Sequence, residues 1–167
     1  MIREQYKRHG VLGYYNLFSD QYHNPHSDNV VALLDAFDFT NFKVGLDFSC
    51  GDGLVSKTLP DIDWVGVDPF MGDRYESETG NKCISASMEQ IVMGEVSIPN
   101  VDVIVCSYCL DIFEKSYIEM LLYRFHVSSN ALITIRPNNK VLRSQWWELD
   151  KFVRMDKSRM SIYKHRV

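Results

Sequence analysis

Four apolar runs of strand length most restrict the fold: Val44 to Phe48, Trp64 to Val67, Val101 to Cys106 and Ala131 to Ile135. Enough chain separates each from the next to hold a helix, and parallel strands need such crossovers, whereas antiparallel neighbours can be joined by tight turns. The third run, Val-Asp-Val-Ile-Val-Cys, is apolar almost without a break, which suits a strand covered on both faces. Lys82 to Ser85 adds a further short strand.

Helical patterns fill the gaps. Val30, Leu33, Leu34 and Phe37 recur at i, i+3, i+4, i+7 after Pro25 and Ser27, and Ile118, Leu121, Leu122 and Phe125 recur at helical spacing behind Ser116 and Glu119, which read as a capping box. Leu54, Val55, Thr58 and Leu59 suit a short helix stopped by Pro60. Val141 to Leu149 reads as one more helix, and Phe152 to Met155 and Met160 to Lys164, joined by Asp156-Lys157-Ser158, read as a hairpin. The expectation is a mainly parallel sheet between two helical layers, with an antiparallel edge.

At 167 residues the chain fits one core. The N-terminal residues mix charges of both signs without an apolar stretch, no run is long enough to span a bilayer, and the four cysteines lie in or beside strands, as reduced thiols do. A cytoplasmic protein without a membrane partner is expected. Residues 1–135 hold nine Lys and Arg against nineteen Asp and Glu (net −10), and residues 136–167 hold nine against three (net +6). The basic end leaves nucleic acid as a partner that is not favoured over a solvated edge hairpin.

The chemistry gathers around Leu46-Asp47-Phe48-Ser49-Cys50-Gly51-Asp52-Gly53. This run leaves a strand and enters a helix, so its glycines can turn tightly and expose backbone to a ligand. Asp68 follows Val65-Gly66-Val67 at the end of the second strand, where a carboxylate can accept hydrogen bonds from ribose hydroxyls. A nicotinamide-binding fingerprint would want Gly or Ala where Ser56 stands, and would not call for Asp47. Cys106-x-x-Cys109 lacks the further ligands that zinc needs, and no metal is expected.

These residues resemble the first two motifs of class I S-adenosylmethionine-dependent methyltransferases: Asp47, Ser49, Cys50, Gly51 and Gly53 match the first, and Asp68 the second. The resemblance extends in element order over residues 27–165. It implies an α/β Rossmann-like three-layer sandwich, with a mostly parallel seven-stranded sheet and a C-terminal antiparallel hairpin. It implies S-adenosyl-L-methionine as cofactor, with the loop around its methionine portion and Asp68 on its ribose, beside Pro69. Ser87 stands where the family usually has an acid toward the adenine, followed by Met88; Ser107 and Tyr108 match the pocket-lining end of the fourth strand.

Residues 1–26 then form an N-terminal lid or arm and residues 27–167 the cofactor-binding domain, with Tyr15, Tyr22 and His26 as lid candidates. A small-molecule acceptor is expected, since no [D/N]-P-P-[Y/F/W] follows the fourth strand. The alternative is a cofactor-binding scaffold or regulatory subunit without turnover of its own. No catalytic base, methylated atom or oligomeric state can be read.

Overall fold

The computed structural model describes residues 2–167, and side chains from Glu4 onward. The strands are β1 (Val44–Phe48), β2 (Asp63–Val67), β3 (Lys82–Ile84), β4 (Val101–Ser107), β5 (Ser129–Pro137), β6 (Trp147–Met155) and β7 (Ser158–His165). They form one seven-stranded sheet in the order β3-β2-β1-β4-β5-β7-β6. β1 to β5 pair in parallel; β7 inserts antiparallel between β5 and β6. The α/β architecture with an antiparallel C-terminal hairpin is therefore as the sequence implies.

The helices are α1 (Ile2–Phe18, kinked at Gly10), α2 (Ser27–Asp35), α3 (Leu54–Thr58), α4 (Gly72–Thr79), α5 (Met88–Val92) and α6 (Lys115–Ser128). Alternate residues of β4 feed two cores, because strand side chains alternate faces. Val103 and Val105 pack with Leu33 and Leu34 of α2 and Val55 of α3; Ile104 and Cys106 pack with Ile91 of α5 and Leu121, Leu122 and Phe125 of α6. Burial on both faces explains the unbroken apolar run.

Two local readings give way to tertiary contacts. Val141 to Leu149 is not helical: the chain is irregular until β6 begins at Trp147. There the backbone and side chains find distant partners, with Leu142 N–H on the Tyr163 hydroxyl (2.9 Å), Ser144 Oγ and Gln145 N–H on the Glu119 carboxylate (3.2 Å each), and Trp147 Nε1 on Leu122 O (3.0 Å). Glu119 is thus engaged away from the helix start, and Ser116 donates to Glu114 instead of capping α6. A complete capping box forms at α5, where Ser87 Oγ accepts Gln90 N–H (3.2 Å) and Gln90 Oε1 accepts Ser87 N–H (3.0 Å).

α4 was not expected from periodicity, because Tyr75 is its one buried residue and no apolar stripe marks it. The hairpin turns through Asp156, at φ 50°, and Lys157.

Candidate functional site at the carboxyl edge of the sheet

Strand order reverses between β1 and β4: β2 and β3 lie to one side of β1, and β4 and β5 to the other. Connections leaving β1 and β4 diverge, which opens a crevice beyond the carboxyl ends of the strands. The segment after β1 fills its floor with two residues in the left-handed region, Ser49 (φ 58°) and Gly51 (φ 54°), and with Gly53 (φ 82°) at the start of α3. Cys50 N–H donates to Val67 O (3.1 Å), tying the loop to the end of β2.

The two loop glycines meet different surroundings. A Cβ on Gly53 would lie 2.4 Å from Thr79 Cγ2 and 3.1 Å from the Tyr75 ring, so its missing side chain lets α4 pack close. A Cβ on Gly51 would meet only the Tyr22 ring, at 3.4 Å. Gly51 is the glycine covered by Tyr22 instead of by a helix.

Asp68 joins the loop to the turn after β2. Its Oδ2 accepts Gly51 N–H (3.1 Å), and its Oδ1 accepts Phe70 N–H (2.8 Å) and Met71 N–H (3.0 Å). Burial raises its pKa against the opposing pull of these three donors. Asp47 lies beneath the loop, 2% exposed, with Oδ2 accepting the Ser56 hydroxyl at 2.8 Å; the Tyr75 hydroxyl meets Ser56 Oγ at 2.8 Å. Burial, only partly offset by Ser56, pushes the Asp47 carboxyl up to about 7.

The N-terminal aromatics close over this floor. Tyr15 stacks on Phe70 with centroids 5.0 Å apart and planes 7° from parallel, and its hydroxyl accepts a bond from Tyr6 (3.0 Å). Tyr22 lies 5.7 Å from Tyr15, centroid to centroid. Burial holds the phenols of Tyr15 and Tyr22 well above the usual tyrosine range. From α4, Arg74 donates to Ser19 O (3.0 Å) and Tyr22 O (2.9 Å), and its Nε binds Glu78 (2.7 Å). Nothing in the sequence marks Arg74 or Phe70 for these roles.

Beyond the tyrosines opens a cavity of about 1170 Å³, lined by Tyr15, Tyr22, His26, Ser49, Ser107 and Tyr108 among others. His26 stacks on Tyr108 with centroids 4.2 Å apart and planes at 8°. The Tyr108 hydroxyl bonds Ser158 Oγ, which also accepts Asn29 Nδ2 (3.4 Å), so the start of β7 buttresses the end of β4. Tyr108 sits at φ 54°, with its N–H on Ile135 O (2.8 Å). Ser107 Oγ is buried without a hydrogen-bond partner.

The structure thus brings Ser49, Ser107, Tyr108, Tyr15, Tyr22 and His26 to one cavity. Gly51, Asp68 and Cys50 lie beside it under the tyrosines, and Asp47 and Gly53 lie deeper. Pro69 is exposed; Ser87 is occupied as a helix cap, and Met88 is core. Cys50 Sγ lies 3.8 Å from that of Cys83, across β2. Cys109 Sγ contacts Phe48 O, and all four cysteines are free thiols. Among the described residues no helix is long and apolar enough to cross a membrane.

No protein-family model matches the sequence, and no curated protein matches it. Solved structures match the fold. The N-methyltransferase NodS from Bradyrhizobium japonicum, in complex with S-adenosyl-L-homocysteine, aligns with a TM-score of 0.67 at 12% identity, over 85% of this chain and 88% of that one. Magnesium protoporphyrin IX methyltransferase from Synechocystis, with bound S-adenosylmethionine, aligns with a TM-score of 0.63 at 15% identity, over 99% of this chain and 95% of that one. The 16S rRNA methyltransferase RmtF aligns with a TM-score of 0.60 at 10% identity, over 85% of this chain and 63% of that one. The chain has the fold of the class I S-adenosylmethionine-dependent methyltransferases.

Proposed function

We propose that this protein is an S-adenosylmethionine-dependent methyltransferase acting on a small molecule. The observation that carries the reading is the Gly51 to Asp68 hydrogen bond, which sets the backbone of the loop after β1 and the carboxylate after β2 side by side at the carboxyl edge of the sheet, next to the point where strand order reverses. The residues present fit the cofactor. Asp68 Oδ2 has acceptor capacity beyond its one N–H bond, Gly51 presents no side chain, and the unpartnered Ser107 Oγ lies at the cavity.

In this reading Asp68 holds the ribose, the segment Ser49 to Gly51 cradles the methionine portion, and Asp47 and Gly53 fix the loop from below. Ser107 and Tyr108 line the passage to the acceptor, and residues 1–26 form a lid through Tyr15, Tyr22 and His26. The bound sulfonium supplies an activated methyl for in-line displacement. The chain's own residues orient the acceptor and exclude water, which can provide much of the rate.

A small acceptor is supported by the cavity of about 1170 Å³, which is on the scale of the roughly 300–1,000 Å³ common for small-ligand sites. The basic C-terminal stretch offers no continuous phosphate track, because much of its charge is engaged internally. Arg136 and Lys140 bind Asp111 (2.7 and 2.9 Å), Lys164 meets Asp150 (3.6 Å), and Lys151 and Arg159 lie over Phe37 and Phe152.

Calorimetric titration with S-adenosylmethionine, S-adenosylhomocysteine and NAD, with Asp68→Ala as control, tests the reading. Binding of both sulfur compounds and loss in the variant are expected; binding of NAD alone overturns it. Labelled-methyl transfer to fractionated small molecules, RNA and protein then tests the acceptor, and labelling of RNA alone overturns the small-molecule assignment. Binding without transfer to any of them would favour a scaffold.

A further inference from the structure

Cys50 and Cys83 meet because β2 carries a glycine between them. Cys83 on β3 is in register with Gly66, which is itself in register with Asp47 on β1. A Cβ on Gly66 would lie 2.8 Å from Cys50 Sγ, so only a bare Cα lets that thiol reach across the strand to Cys83 Sγ at 3.8 Å. One member of the pair belongs to the glycine loop, immediately before Gly51.

We propose that Cys50 and Cys83 form a peroxide-sensitive dithiol whose reversible oxidation to a disulfide displaces the glycine loop. Cys83 is the more exposed of the pair, half-buried where Cys50 is buried. The hydrogen bond shared with Cys50 holds the Cys83 thiol below its usual range, and Cys83 is the less buried of the two, which together favour it as the attacking sulfur. Cys83 sulfur attacks hydrogen peroxide, forming S–O and breaking O–O, and one water leaves. Cys50 then loses its proton and attacks the resulting sulfenic acid; S–S forms, S–O breaks, and a second water leaves. Two thiols and one peroxide become one disulfide and two waters.

A disulfide needs the sulfurs about 2.0 Å apart, so the pair must close by well over an ångström. Cys83 is held in the β2–β3 ladder, with its N–H on Glu76 Oε1 at 2.9 Å. Cys50 is held as well, with its N–H on Val67 O at 3.1 Å and Gly51 N–H on Asp68 beside it. Any shift of the Cys50 backbone toward Cys83 therefore pulls on the Gly51 to Asp68 bond. Cys106 and Cys109 are both buried and serve as internal comparators.

The full-length chain is treated with hydrogen peroxide and mapped by mass spectrometry, while the Gly51 and Asp68 amides are followed by NMR. A Cys50–Cys83 cross-link with loss of two hydrogens, shifted amides and full reversal by dithiothreitol are expected. Cys83→Ser or Cys83→Ala should abolish both changes, and Cys106→Ser neither. A cross-link elsewhere, or a Cys50–Cys83 bridge that leaves the Gly51 amide unmoved, overturns the proposal. The effect on S-adenosylhomocysteine affinity rests on the proposed function: at least tenfold weakening on oxidation is expected, and equal affinity overturns control of binding. A reduced chain that binds none would count against the proposed function, with the mass and amide readouts still deciding the switch.

Discussion

The Tyr22 ring lies against the bare Cα of Gly51, where an added methyl group would stand 3.4 Å from its Cε1. The aromatic arm therefore covers the glycine loop directly, and any ligand on that loop must share space with Tyr22 or move it.

Arg74 is the clasp of this arm, through the carbonyls of Ser19 and Tyr22. Arg74→Ala should raise both the association and dissociation rates of S-adenosylhomocysteine severalfold while leaving stability within about 1 kcal/mol, as for other partly exposed charge contacts. Stopped-flow binding and thermal melts read the two effects separately. Unchanged rates with a lowered melting temperature would assign Arg74 to the fold alone.

The loop glycines should separate stability from binding. Gly53→Ala puts a Cβ 2.4 Å from Thr79 Cγ2 at φ 82°, and should cost about 2–4 kcal/mol from overpacking and left-handed strain together. Gly51→Ala meets only Tyr22 and should cost about 1–2 kcal/mol while disturbing ligand binding more. Urea melts beside calorimetry with S-adenosylhomocysteine check the order, and equal losses for both variants would contradict it.

Asp47 makes stability fall with rising pH. Its folded pKa, up at about 7 through burial, exceeds the unfolded value, so the folded state holds the proton more tightly. Its contribution is whole below the unfolded pKa of about 4 and is lost as pH rises through about 7. Asp47→Asn keeps an acceptor for Ser56 and cannot ionise. It should flatten this dependence and gain relative stability at pH 8, by at most about 4 kcal/mol. Parallel urea-melt profiles for the two proteins from pH 5 to 8 would refute this.

Asp68→Ala should leave three backbone donors without their acceptor, at Gly51, Phe70 and Met71. A loss of about 1–3 kcal/mol is expected, since unsatisfied buried donors carry that order of penalty. Asp68→Asn keeps one oxygen and should lose less. Stability equal to wild type in Asp68→Ala would show that water replaces the carboxylate.

The strands were legible because burial on both faces leaves long apolar runs, as in β4, and Asp68 was legible because it closes one of them. α4 was not, since Tyr75 alone is buried from it, and the helix read at Val141 to Leu149 failed because Glu119 and Tyr163, far away in sequence, satisfy that backbone. The cap that Ser87 gives to α5 was not read from the sequence, because the Ser87 and Gln90 pair precedes a helix of only five residues.

The sequence by itself determined the parallel core and the order of loop and acid, because strand periodicity and turn chemistry act over a few neighbouring residues. Tertiary structure alone decided what surrounds them: that Gly53 serves helix packing while Gly51 faces Tyr22, that Cys50 meets Cys83 across Gly66, and that Arg74 holds the arm. Those relations depend on which distant surfaces meet when two cores close around one sheet, and no local pattern encodes that meeting.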